Sequence, residues 1–257
     1  MASGWELQRR VVGALVYREL KTRVSEVRFG VVGVFIEPLG VLTVFVLLFS
    51  LLHHNPGGID PLLFLLPGAV LFGMFTEIGI RALNAMNANE SLFFYKPVKP
   101  VDTVIARGLV ETGLFAIVYL TVLLGICVFR ERWLLDDLPL LVMSYLCLAL
   151  TAFGLGLIFM VAGHRYPSLR QFIPIAIRPL WLISGAFFTT AHLPQRILPW
   201  LSWNPIVQAT ELSRHSLSSD YTIPDAISLP YLMMLAASTS AAGLWLYTRN
   251  ERSLLTR

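Results

Sequence analysis

Charge is scarce in this chain. Only 14% of its 257 residues are Asp, Glu, Lys or Arg, against about 25% in ordinary soluble domains. Cysteine is scarcer still: Cys127 and Cys147 both sit inside apolar blocks and read as small buried hydrophobes, which excludes a disulfide scaffold. The five histidines are scattered with no metal-ligand spacing, so no metal site is expected. No Gly-Lys dipeptide occurs, which excludes a Walker A phosphate loop, and there is no Gly-x-Ser-x-Gly and no His-Glu-x-x-His. Asp136-Asp137 is the only pair of adjacent acids. A catalytic site within the chain is therefore not expected, and energy for any transport must come from a gradient or a partner.

What is abundant is oil. Hydrophobic residues make up 56% of the chain, with mean hydropathy +0.68. A globule of this length cannot hide so much apolar surface from water. That excludes a soluble enzyme, a disordered chain and a nucleic-acid binder. The apolar residues fall in six long blocks, at 31–52, 62–82, 104–129, 138–162, 171–190 and 227–248, each near the ~20 residues that a helix needs to cross a bilayer. The expected fold is an all-α integral membrane protein with six transmembrane helices. The fifth block carries Arg178, Pro174 and Pro179.

The cations set the orientation. Arg9, Arg10, Arg18, Lys21, Arg23, Arg28, Lys96, Lys99, Arg165, Arg170, Arg249, Arg252 and Arg257 fall on one side, and only Arg130, Arg132, Arg196 and Arg214 on the other. The positive-inside rule then puts both termini in the cytoplasm, as an even number of spans requires. The first apolar run begins too late and runs too long for a signal-peptide core, so no cleaved leader is expected. The first thirty residues instead read as an interfacial helix. Val12, Val16, Leu20, Val24 and Val27 recur on one face, with Arg18, Lys21, Ser25 and Arg28 opposite; a basic topology signal with no further role reads the same way.

Two connections are more than loops. In 191–226, Leu193 to Leu201 is apolar but too short to cross, and Asn204-Pro205 is a capping residue followed by proline at the first helical position. Two short helices follow, either as a re-entrant hairpin in the outer leaflet or as a pair lying on its surface. In the 83–103 loop, Ala85 to Phe94 forms a short helix that ends before Lys96-Pro97. It presents Leu92, Phe93, Phe94 and Tyr95, either as a docking surface or as a helix resting on headgroups.

Six ionisable residues lie at membrane depth in the cytoplasmic half: Glu37, Glu77, Arg81, Arg107, Glu111 and Arg178. Each costs ~2.5–3.5 kcal/mol or more to insert. Glu77 with Arg81, and Arg107 with Glu111, are four apart and close enough to pair within one helix. Either these are self-neutralising pairs or they form a polar entrance for an anionic head group. In the second reading Arg178 makes the anion contact, unless Glu37 is its partner. Trp181, Phe187, Phe188, Trp200, Trp203 and Tyr221 gather from the fifth block into 191–226, as faces for sugar C–H groups or as an interfacial belt.

The chain resembles the membrane subunit of type-2 ABC exporters, specifically the capsular-polysaccharide permeases and their O-antigen and teichoic-acid relatives. The residues that carry the likeness are Arg28-Phe29-Gly30 with Glu37-Pro38, then Glu90-Ser91-Leu92 with Lys96-Pro97 and Pro100, then Leu193-Pro194, Trp203-Asn204-Pro205, Glu211 and Arg214. Their order covers essentially the whole chain. The resemblance implies a single transmembrane domain over 1–257: an interfacial helix at 1–30, spans one to five within 31–190, an outer re-entrant segment at 191–226, the last span at 227–248 and a tail at 249–257. It implies a homodimer in the bacterial inner membrane, carrying two copies of a cytoplasmic P-loop ATPase that binds ATP and Mg. The ATPase would dock on a coupling helix comprising Glu90, Ser91, Leu92, Phe93, Phe94 and Tyr95. The cargo would be a lipid-linked, acidic polysaccharide passing Glu37, Arg178, Trp181, Phe187, Phe188, Trp200 and Trp203, with periplasmic and outer-membrane proteins completing export. A gradient-driven carrier would need midplane charges and a repeat between halves, and a sugar-lipid transferase would need a carboxylate or histidine constellation; the sequence has none of these.

Overall fold

The computed structural model describes residues 4–26, 32–51, 58–94, 98–194 and 196–255. Among them every regular element is helical. They are α1 (Gly4–Glu26), α2 (Val32–Leu51), α3 (Pro61–Leu83), α4 (Ala85–Ala88), a 3-10 segment at Glu90–Phe94, α5 (Pro100–Arg130), α6 (Leu138–Arg165), α7 (Leu169–Leu180), a second 3-10 segment at Thr190–His192, α8 (Leu198–Ser202), α9 (Pro205–Leu217) and α10 (Leu229–Leu255).

Local chemistry explains where these helices begin. Asp60 accepts a hydrogen bond from the Leu62 N–H at 2.9 Å, with Pro61 in the first turn of α3. Asp137 accepts from the Leu140 N–H at 2.9 Å at the start of α6. Asn204 accepts from the Ile206 N–H at 3.0 Å, with Pro205 opening α9. Each cap satisfies a donor that has no partner inside the helix.

Among the described residues four helices are long and apolar enough to cross a membrane, α3, α5, α6 and α10, and α2 adds a shorter apolar stretch, Pro38–Phe49. The expected span at 171–190 is not one continuous helix. α7 stops after 12 residues, about 18 Å of rise against an apolar core of about 30 Å. Pro174 and Pro179 each remove a backbone donor, and the chain then turns through 181–185, where Gly185 takes φ +75°.

α3 and α6 form the middle of the bundle. α3 is buried along most of its length and packs on α2, α5, α6 and α9, while α6 also carries α9 and α10. The outer helices show apolar rows to their surroundings: Leu109, Ile117, Leu120, Leu124 and Val128 on α5, and Met233, Met234, Leu244 and Trp245 on α10, are all exposed. Such rows suit a lipid solvent, which removes the cost of exposing them. α9 is the opposite case: nearly every residue from Ile206 to Leu217 is buried, with α3, α6 and α10 around it. The exposed loop before α6 is tied to α9: the Asp136 and Asp137 N–H groups both donate to the Ser216 carbonyl at 3.0 Å. The Ser219 N–H donates to the Asp136 carboxylate at 2.7 Å and holds that carboxyl below its usual range.

α1 keeps part of the expected valine face inward, with Val12 half-buried and Val16 packed against the core. Leu15 and Glu19 are its buried residues, whereas Leu20 is 37% exposed. The helix docks on α5 with Gln8, whose amide donates to Asp102. The Val24 and Ser25 side chains, and all of Val27 and Arg28, lie outside the described residues.

Candidate functional site

α1, α3 and α5 converge on a network in which Arg23, Arg81 and Arg107 meet Glu19, Glu77 and Glu111, with Arg18 at its edge 3.9 Å from Glu19. Arg81 reaches Glu77 at 3.0 Å, Glu111 at 2.8 Å and Glu19 at 3.4 Å. Arg23 reaches Glu77 at 3.4 Å and Glu111 at 3.3 Å. Arg107 reaches Glu19 at 3.3 Å and donates to the Arg81 carbonyl at 2.7 Å. The i, i+4 pair Glu77–Arg81 forms as the spacing predicts. Arg107 and Glu111 do not close on each other in the same way: Arg107 turns to α1, and Glu111 turns to α1 and α3. Four-residue spacing brings two side chains to one face, but a carboxylate at a helix crossing is better compensated by cations from several helices than by one neighbour. Glu19 and Arg23, which no sequence pattern singled out as site residues, complete the network.

One wall of this network opens into a cavity of about 360 Å³. It is lined by Pro38 and Val41 of α2, by Ala69, Phe72, Gly73, Thr76 and Glu77 of α3, by Phe115 of α5, and by Arg178 and Trp181 at the end of α7. Arg178 has no ion-pair partner among the described residues and is exposed. Trp181 anchors an aromatic group: its ring centroid lies 4.6 Å from Phe187, 5.4 Å from Phe45 and 6.3 Å from Phe72. The cavity thus combines a guanidinium, a carboxylate and aromatic rings packed edge-to-face. That arrangement can hold an anionic group beside the C–H faces of a sugar.

The structure brings Glu77, Arg178 and Trp181 together, with Phe187 against Trp181. It does not bring Trp200 and Trp203 to the same place. They stand on and just after α8, 85% and 77% exposed, because α8 is a five-residue helix lying outside the packed bundle. Phe188 gives its carbonyl to Arg214 at 3.2 Å, and Tyr221 is buried against Glu211, not in the aromatic group. The side chains of Glu37 and Phe94, and the whole of Tyr95, lie outside the described residues.

At the other end of the bundle, Arg214 and Glu211 form a second buried ion pair at 2.7 Å, both with no exposure. Arg214 also donates to the carbonyls of Phe64 at 2.9 Å and Ala186 at 3.0 Å, and its guanidinium lies 3.5 Å from the Phe64 ring centroid. Glu211 accepts from Thr190 at 2.6 Å and from Tyr221 at 3.1 Å. The pair pins the 186–190 segment to α9 and α3.

On the side of the charge network, the segment 85–94 is only partly the exposed knob that the sequence suggests. Asn87, Ala88, Glu90 and Ser91 are exposed, while Leu92 and Phe93 are half-buried. Phe93 packs against a cluster that includes Met86, Val104, Met160 and Tyr247, a core formed where α5, α6 and α10 end together. Asn89 is buried and accepts a hydrogen bond from Arg18 of α1, so α1 touches both this segment and the charge network.

The sequence profile described as ABC-2 type transporter matches residues 10–217. The chain belongs to the ABC-2 type transporter family. This ABC-2 protein is 36% identical over 255 residues to the polysialic acid transport protein KpsM of Escherichia coli, covering 99% of this chain and 98% of that protein. It is 30% identical over 237 residues to the capsule polysaccharide export inner-membrane protein CtrC of Neisseria meningitidis serogroup A, covering 89% and 88%. It is 27% identical over 244 residues to the capsule polysaccharide export inner-membrane protein BexB of Haemophilus influenzae, covering 93% and 90%. As an ABC-2 transporter with several apolar crossing helices, it is a multi-pass membrane protein.

Proposed function

We propose that this chain is the membrane-spanning subunit of an ATP-driven exporter that carries a lipid-linked capsular polysaccharide across the inner membrane. The observation that carries the proposal is the near full-length identity to the capsule-export proteins. Six passes follow if α2, α3, α5, α6 and α10 each cross and α7 with its following turn makes the remaining one. The cation distribution then places both termini in the cytoplasm. The burial of α9 supports a re-entrant hairpin over a surface-lying one, since irregular backbone is tolerated at membrane depth where protein covers it.

In this reading the chain holds no nucleotide. A separate P-loop ATPase binds ATP and Mg and docks on the exposed Asn87, Ala88, Glu90 and Ser91, and two copies of the chain form the conduit. Arg178 receives the acidic group of the polysaccharide, and Trp181 and Phe187 offer apolar faces over which sugar rings slide. The test is deletion of the gene in its encapsulated host. The expected result is lipid-linked polysaccharide accumulating inside the cell with none at the surface, restored by the intact gene; surface polysaccharide that persists at its normal level overturns the proposal.

A further inference from the structure

α6 and α10 touch through glycine. A Cβ on Gly154 would stand 2.4 Å from the Thr239 carbonyl carbon, and one on Gly243 would stand 2.4 Å from the Gly154 oxygen. Beyond that crossing the two helices enclose a separate cavity of about 200 Å³, lined by Val161, His164, Arg165, Asn250, Ser253 and Leu254. Its depth follows from the sequence of its walls. α6 is apolar through Val161, Ala162 and Gly163 and turns polar at His164-Arg165; α10 is apolar through Leu244, Trp245 and Leu246 and turns polar at Arg249-Asn250. Both changes occur at the cavity, so it lies at the boundary between acyl chains and headgroups. Trp245 is 59% exposed, and the Arg249 guanidinium sits 4.8 Å from its ring centroid, an aromatic and a cation placed as interfacial anchors are.

The lining selects an oxyanion. Arg165, His164 and Asn250 bring guanidinium, imidazole and amide groups, and the Asn250 amide gives one N–H to the Leu246 carbonyl at 2.8 Å and keeps the other. Among the described residues no carboxylate lines the cavity. Glu251, next to Asn250 in sequence, pairs with Lys99 at 3.2 Å and accepts from the Tyr247 hydroxyl at 3.0 Å. Arg170 donates to the Gly163 carbonyl at 2.9 Å and adds a further positive charge at the end of α6. The apolar side of the cavity is Val161 and Leu254, both buried. A ligand that fits carries oxygens on one side and methylenes on the other.

We propose that this cavity binds the phosphate of an anionic phospholipid, with the phosphodiester on Arg165, His164 and Asn250 and the start of an acyl chain over Val161 and Leu254. The site depends on the depth of the α6–α10 seam and is independent of what the protein exports. The test is native mass spectrometry of the full chain extracted from nanodiscs of phosphatidylcholine with a minority of phosphatidylglycerol. Arg165→Gln and Ser253→Asp, both at exposed positions, are expected to reduce retained phosphatidylglycerol by about tenfold, as loss of a charge-assisted contact does. Arg10→Gln on the exposed face of α1 leaves retention unchanged. Equal retention by the wild type and both cavity variants overturns the proposal. Displacement of the lipid by millimolar inorganic phosphate would assign the site to free phosphate and overturn the lipid assignment.

Discussion

The guanidinium of Arg81 on α3 lies 2.8 Å from the carboxylate of Glu111 on α5, and Glu111 is fully buried. Removing the cation leaves that carboxylate short of compensation inside the bundle. We expect Arg81→Met to destabilise the protein by about 3–5 kcal/mol, and Arg81→Met with Glu111→Leu to recover most of it, because an apolar pair replaces a buried ionic one at little cost. Thermal unfolding followed by size-exclusion chromatography in detergent measures both; a double variant no better than the single one contradicts this account.

Arg214 makes the same argument at the other end of the bundle. Arg214→Leu strands Glu211 and three carbonyls, and a loss of about 3–5 kcal/mol is expected. Arg214→Lys recovers little, since an ammonium cannot reproduce the fork of the guanidinium. A lysine variant that melts with the wild type contradicts the assignment.

The segment 85–94 yields a contrast between neighbours. Glu90→Arg and Ser91→Trp change exposed positions, so they are expected to keep the chain's stability and, if the proposed docking holds, to abolish co-purification with the partner ATPase. Phe93→Asp buries a charge against Met86 and Tyr247 and lowers stability itself. Pull-down and melting, run on the same preparations, separate the two effects.

Arg178→Ala is expected to stop export while the permease–ATPase complex still assembles, and Arg178→Lys to keep part of the activity. The residue lines the cavity with no ion-pair partner among the described residues, so its loss strands no carboxylate known to face it. Surface polysaccharide at the wild-type level in the alanine variant removes Arg178 from the pathway.

Gly154→Ala tests the α6–α10 contact. The added methyl meets main-chain atoms of Thr239 and Ser240 at 2.4–2.6 Å, and these cannot move aside as a flexible side chain would. A loss of about 1–3 kcal/mol is expected from overpacking, read as a lower melting temperature.

Much of the architecture was legible before any coordinates. Apolar blocks are long-range in composition but local in sequence, so the boundaries of α3, α5 and α6 lie close to the expected ones, while α10 runs on to Leu255, past the apolar block into its polar tail. Asn204-Pro205 likewise announces α9, because a cap and its helix are neighbours. The prolines at 174 and 179 are visible in the sequence, but hydropathy alone carries the fifth block through to residue 190, whereas the helix ends at Leu180 and the chain turns through 181–185. Glu19 and Arg23 were not legible as site residues. Nothing in α1 itself marks them, since their partners stand on α3 and α5, dozens of residues away. On α1 the valine spacing places Val12 and Val16 on the inward side, but the burial of Glu19 beside them depends on charges that wait on other helices.

In the network of α1, α3 and α5, Glu77 and Glu111 each touch two arginines and Glu19 touches three. A carboxylate held that way can trade one guanidinium for the next without standing alone at any instant. Neighbouring helices can therefore slide by a fraction of a turn while their charges change hands, a lubricated joint in surroundings where a bare ion would seize it.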